Sequence, residues 1–107
     1  MFEDLLDLLN TTKIPFVAYR WDQRPESGAY GTAQIEGGAD TVPGDGMIIH
    51  QGIRASADLF DPSPSTENAE KVQDALNGVV SWRLNSVQYE EDPPLVHYEW
   101  IIELEGL

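Results

Sequence analysis

Apolar residues at Phe2, Leu5, Leu6 and Leu9 recur at helical spacing, with Glu3, Asp4 and Asp7 on the other side. The pattern predicts a short amphipathic helix whose acids complement the positive end of its dipole. Asn10-Thr11-Thr12 stops it, and Pro15 prevents its continuation. Residues 14–21 predict a strand, with Phe16 and Ala18 on one side and Val17, Tyr19 and Trp21 on the other. Pro25 and Gly28 mark residues 22–28 as a loop, and residues 30–36 read as a weaker strand. Four glycines, one proline and two aspartates then fall within residues 37–46, the composition of a loop or long hairpin tip. Loops of that length in small domains are often functional.

Residues 47–60 predict one long strand. Met47, Ile49, Ile53, Ala55, Ala57 and Leu59 share one parity, and His50, Arg54, Ser56 and Asp58 the other. That is a half-buried antiparallel pattern. Gly52 is placed where a bulge or a close backbone approach would sit. Ser63 or Ser65 is the expected cap of a helix over residues 67–76, with Ala69, Val72 and Leu76 inward and Asn77-Gly78 as its stop. Residues 82–89 predict a strand and residues 90–94 an acidic turn. Residues 95–105 form the clearest strand, in which Val96, Tyr98, Trp100, Ile102 and Leu104 alternate with His97, Glu99, Glu103 and Glu105. The order predicts a single α+β domain over residues 1–107, a mainly antiparallel sheet with two helices packed on one face.

Composition narrows the function classes. The 107 residues carry 19 acids against 6 bases, a net charge of −13. Such a surface lacks the clustered Lys and Arg that displace counterions from duplex nucleic acid or dock on anionic lipid. With no cysteine there is no disulfide framework, thiolate nucleophile or thiolate zinc site. The apolar runs are too short for a membrane-spanning helix, and Met1-Phe2-Glu3-Asp4 lacks the basic start of a secretory signal.

Candidate chemistry is sparse. Gly44-Asp45-Gly46 has no Lys-Ser/Thr behind it and reads as a turn instead of a phosphate loop. His50 and His97, with Glu99 as a third ligand, could meet across adjacent strands, but polar cover of a sheet explains them better. The loop aspartates Asp40 and Asp45 lack the alternating ligands of a calcium loop. A carboxylate pair for hydrolysis could hide among Glu90, Glu91, Asp92 and Glu99, for which a solvated turn and strand face is the simpler account. No catalytic residue, cofactor or metal is therefore expected. Trp21, Trp82, Trp100, Tyr19, Tyr30, Tyr89 and Tyr98 are many aromatics for so short a chain. Most belong in a core, and the remainder suit a subunit interface.

The order of residues carries a resemblance. A leucine-rich helix ends in Thr12-Lys13-Ile14-Pro15, and Phe16-Val17-Ala18-Tyr19 leads a strand. A Gly/Asp loop precedes a strand ending in Ala57-Asp58-Leu59-Phe60, and Val72-Gln73-Asp74-Ala75-Leu76 lies within a helix. Trp82, then Tyr89-Glu90-Glu91-Asp92, then His97-Tyr98-Glu99-Trp100-Ile101-Ile102 complete it. Over nearly its whole length the chain resembles the tail-terminator and tail-completion proteins of long-tailed bacteriophages. It departs from them at Asp61-Pro62-Ser63, where that family often has a lysine-rich turn.

The resemblance implies a non-enzymatic virion protein, assembled in the host cytoplasm. Such proteins form a ring, commonly a hexamer, at the head-proximal end of the tail. The ring stops growth of the tail tube, so one partner is the tail-tube protein. It joins the tail to the head–tail connector, and DNA passes through its lumen without specific binding. An acidic wall would suit that passage. Candidate interface residues are Asp40, Val42 and Asp45 in the loop with Met47 at its end, Glu90, Glu91 and Asp92 in the acidic turn, and Trp21. Two other readings of the residues stay open: a stand-alone acidic inhibitor or immunity-like binding module, and a small enzyme.

Overall fold

The computed structural model describes residues 2–38, 43–44, 47–48 and 52–105. Helix α1 (Phe2–Asn10) is followed by strands β1 (Phe16–Ala18) and β2 (Tyr30–Gly38). A two-stranded pair, β3 (Pro43–Gly44) with β4 (Met47–Ile48), precedes strand β5 (Gly52–Asp61). Helix α2 (Glu67–Leu76) and strands β6 (Ser81–Glu91) and β7 (Pro94–Glu105) complete the order. The main sheet runs β1-β2-β5-β7-β6, parallel between β1 and β2 and antiparallel elsewhere. This is the expected α+β class.

Register decides which face carries the core. Ala33 pairs with Ala57, and Ala57 with Trp100; Ala55 pairs with Ile102 and Leu59 with Tyr98. All are buried on one face, together with Leu5 and Leu9 of α1 and Ala69, Val72 and Leu76 of α2. Both helices therefore lie on that face. The alanines of β2 and β5 leave room for Trp100, which is fully buried and donates its indole N–H to Gln73 Oε1 at 3.0 Å. In helix α2 the inward residues are those the spacing predicts. Its N-terminal boundary falls at Thr66, whose side chain makes no capping bond, instead of at Ser63 or Ser65. Ser65 Oγ still accepts the Glu67 N–H, and the buried Asp61 accepts from Ser63 N–H and Asn68, which fixes the link from β5 to α2.

Four expectations need correction. The strand over residues 14–21 shrinks to Phe16–Ala18, because Tyr19 adopts φ 65° and Arg20 N–H bonds back to the Ala18 carbonyl at 2.8 Å. That three-residue turn is strained for a bulky residue and reverses the chain at once. The strand over residues 47–60 is divided, since β4 pairs with β3 and only β5 enters the main sheet. Residues 49–51 lie outside the described residues. The acidic turn is shorter than residues 90–94: Glu90 and Glu91 belong to β6, Pro94 to β7, and only Asp92-Pro93, joined by a cis peptide, turns the chain. Ser56 and Asp58, expected on a solvated face, are buried, because side chains of neighbouring strands bond to them.

The two sheet edges differ. On β1 the Asn10 side chain accepts the Phe16 N–H at 2.9 Å and donates to the Phe16 carbonyl at 3.1 Å, so one amide occupies both groups. The next outward carbonyl, that of Ala18, is taken by Arg20. These bonds block β1 itself, which covers Gly31–Ala33 of β2 and leaves residues 34–38 without a strand on that side. Asn10→Ala should cost about 1–2 kcal/mol by stranding those groups. Urea unfolding of the variant measures it, and an unchanged midpoint would mean water replaces the amide freely. At the other edge, β6 runs for 11 residues.

Candidate functional site

Two surfaces concentrate side chains with something to do. The first is the sheet face opposite the helices. His97 of β7 lies between two carboxylates, with Nε2 2.8 Å from Asp58 Oδ1 and Nδ1 3.3 Å from Glu90 Oε2. A neutral ring can donate to one of them and an imidazolium to both. The ring stacks on Phe60 at 4.4 Å between centroids, and Phe60 stacks on Tyr30 at 5.2 Å. Beside this row Glu36 accepts from Ser56 Oγ at 2.7 Å and from Gln34 at 3.0 Å, and those bonds lower its carboxyl below the ordinary range. Glu99 accepts from Asn85 at 2.7 Å, and Arg54 lies 3.7 Å from Glu103.

Burial raises the Asp58 carboxyl above its ordinary value, and the His97 hydrogen bond opposes that only in part. Folding therefore favours the protonated form. The stability this group contributes is full below its unfolded value near 3.8 and is lost as pH rises through the higher folded value. Asp58→Asn removes that dependence. The stability of the natural chain relative to Asp58→Asn should fall with rising pH across that window, as read by urea unfolding at a series of pH values. A difference that rises with pH there would contradict the burial account.

A raised carboxyl touching a histidine is also what acid–base chemistry uses. Here Asp58 is 9% exposed and His97 lies over it, so the pair acts as a polar bridge tying β5 to β7 and, through Glu90, to β6. Of the metal set weighed from sequence, Glu99 turns to Asn85 and His97 to Asp58 and Glu90, while His50 lies outside the described residues. Among the described residues no three metal-binding side chains are grouped to hold an ion.

The second surface is the flank of β6 on the helix side. The ladder to β7 slips between Leu84 and Ser86, so Asn85 is an extra residue. Before the slip Trp82 and Leu84 pair with Ile102 and Trp100; after it Val87 and Tyr89 pair with Tyr98 and Val96. The bulge therefore turns all four apolar side chains to the same face. Trp82 packs against the core, but Leu84, Val87 and Tyr89 remain 44%, 52% and 66% exposed. Among the described residues, α1 and α2 pack over the sheet as far as Tyr98, Trp100 and Ile102 of β7, and no helix covers this flank. Separately, Val79 in the α2–β6 link is 64% exposed beside a cleft of about 780 Å³ whose walls include Leu5, Leu8, Asp7 and Leu104. Asp4 and Glu103 line that cleft as well, so it is of mixed character, and the continuous exposed apolar surface is the β6 flank.

Compared with models of known protein families and with curated proteins, the chain matches none.

The predicted interface residues that are described lie on separate elements. Asp40, Val42 and Asp45 lie outside the described residues, and Met47 is in β4. Glu90 is drawn in towards His97, while Glu91 and Asp92 are exposed at the β6–β7 turn. Trp21 folds against the sheet, donating to the Gly31 carbonyl at 2.9 Å and meeting the edge of Tyr30 at 6.2 Å. Leu84 and Val87 were not among the candidates. Their signal is the Asn85-Ser86 pair, which restores a common face to Trp82, Leu84, Val87 and Tyr89 once one residue is skipped. No helix among the described residues is long and apolar enough to cross a membrane.

Proposed function

We propose that the chain is a structural subunit of a ring at the head-proximal end of a phage tail, where it ends the tail tube and joins it to the head connector. The uncovered apolar flank of β6 carries this reading. Among the described residues no helix covers Leu84, Val87 and Tyr89, and a contact with another subunit would bury them. The cleft beside Val79 offers a second, unlike surface. A head-to-tail ring needs two unlike patches on each subunit. The chemistry of the opposite face favours a scaffold over an enzyme, since its carboxylates bond to neighbouring side chains and its raised aspartate is covered. A charge of −13 on each copy would make a lumen that DNA traverses without adhering.

The test is size-exclusion chromatography with light scattering over a concentration series, with negative-stain images of the peak and of the chain mixed with purified tail tubes. The reading expects rings, in solution or seated on one end of the tubes. A chain that neither forms rings nor binds tubes at any concentration overturns it.

A further inference from the structure

Among the described residues the longest open sheet edge is the 11-residue β6; on the opposite side β1 covers Gly31–Ala33 of β2 and leaves residues 34–38 as a shorter open edge. Asn10 and Arg20 take the Phe16 N–H and the Phe16 and Ala18 carbonyls, so the three residues of β1 offer a second strand far less than β6 does. The 11 residues of β6 carry the exposed Leu84, Val87 and Tyr89 along the same edge. Long exposed edges with apolar side chains pair with other strands unless something guards them. The edge on a second copy that matches β6 in length and in exposed apolar side chains is β6 itself.

We propose that the free chain is a two-fold dimer in which β6 pairs antiparallel with β6 of a second copy, centred on Gln88. An axis normal to the sheet keeps the helix-side face continuous, and it allows only registers centred on a residue. Centring on Gln88 sets Val87 opposite the second copy's Tyr89, and Tyr89 opposite its Val87. These are aromatic–β-branched pairs of the kind that stabilise ladders. On the other face the same register sets Ser86 opposite Glu90, a hydroxyl against a carboxylate that His97 already holds. Neighbouring registers fit worse. Centring on Tyr89 sets Val87 against Glu91, centring on Glu90 sets that carboxylate against itself, and centring on Val87 sets Tyr89 against the bulged Asn85. The paired run also fits between two interruptions, the bulge at Asn85 and the turn at Asp92-Pro93.

The inference rests on reading this flank as a protein contact and does not need the ring. A two-fold pair has no polarity, whereas a ring between tail and head has two unlike faces. The dimer is thus the resting form of the free chain, guarding the edge until β6 is released to its place in the assembly. Each copy carries −13, so the dimer should tighten as salt screens that repulsion.

The absence of cysteine makes a direct test available. Gln88→Cys places one thiol opposite its own mate, with Cα atoms about 4.5–5.5 Å apart, within disulfide reach. Ser86→Cys sits four residues out of register with its mate. Under mild oxidation Gln88→Cys should cross-link to a dimer and Ser86→Cys should not. Sedimentation should give two copies for the natural chain, and Tyr89→Lys, which alters an exposed side chain, should weaken the dimer about a hundred-fold with unchanged circular dichroism. A monomer at all concentrations, a dimer indifferent to Tyr89→Lys, or cross-linking through Ser86→Cys instead would overturn the proposal. Dimers without rings on tail tubes would keep this inference and discard the ring; rings from a chain that never dimerises would do the reverse.

Discussion

Trp100→Ala should remove about 4 kcal/mol of stability and leave much of the chain unfolded in dilute buffer. Trp100 is fully buried at the centre of β7, between Ala57 on β5 and Leu84 on β6. Its ring stacks on Tyr98 at 5.7 Å and its N–H meets Gln73 of α2, so it joins sheet to helix. Truncation opens a cavity the alanines around it cannot fill, and it strands the Gln73 carbonyl oxygen. A domain of this size holds only about 5–10 kcal/mol in total. Trp100→Phe separates the two effects, because it keeps most of the volume and loses the hydrogen bond, and should cost about 1–2 kcal/mol. Urea unfolding followed by circular dichroism reads both. Equal losses would mean that the hydrogen bond, not the packing, is what the core needs from this residue.

Gly31→Ala is the second large expected effect. Gly31 pairs with Phe16 of β1 on one side and Leu59 of β5 on the other. A Cβ there would enter the Phe16 ring and come within 2.6 Å of the Asp58 carbonyl oxygen. Phe16 is itself buried, and the carbonyl belongs to the sheet backbone, so neither yields cheaply. The cost should be about 3 kcal/mol, the upper range for an added methyl in a packed interior. Adding Phe16→Leu should recover only part of it, because the clash with the Asp58 carbonyl remains. Full recovery would place the whole penalty on the aromatic ring.

Elements whose pattern is local were legible from the sequence. Helix α2 and its inward Ala69, Val72 and Leu76 follow from spacing and the Asn77-Gly78 stop, and β7 follows from strict alternation. What escaped depends on backbone events with no residue signature or on distant partners. Nothing at Tyr19 announces a left-handed residue, so alternation alone predicts a longer β1 than the chain forms. The bulge at Asn85 shifts the parity of β6, which hid the apolar flank while Tyr89 was counted only as a spare aromatic. Ser56 and Asp58 are buried by Glu36 and His97, which lie 20 and 39 residues away in the chain. Such pairings need the sheet register, and the register needs the fold.

Much of the polar chemistry of the outer sheet face is spent on its own strands, and Leu84, Val87 and Tyr89 leave an apolar flank on an otherwise acidic domain. On the reading proposed above, that flank is a subunit contact. The most direct test is to add the purified chain to growing tail tubes and image them by electron microscopy. The account predicts a ring seated at one end and tubes that stop lengthening. Tubes that grow on unaltered, with the chain remaining free in solution, would contradict it.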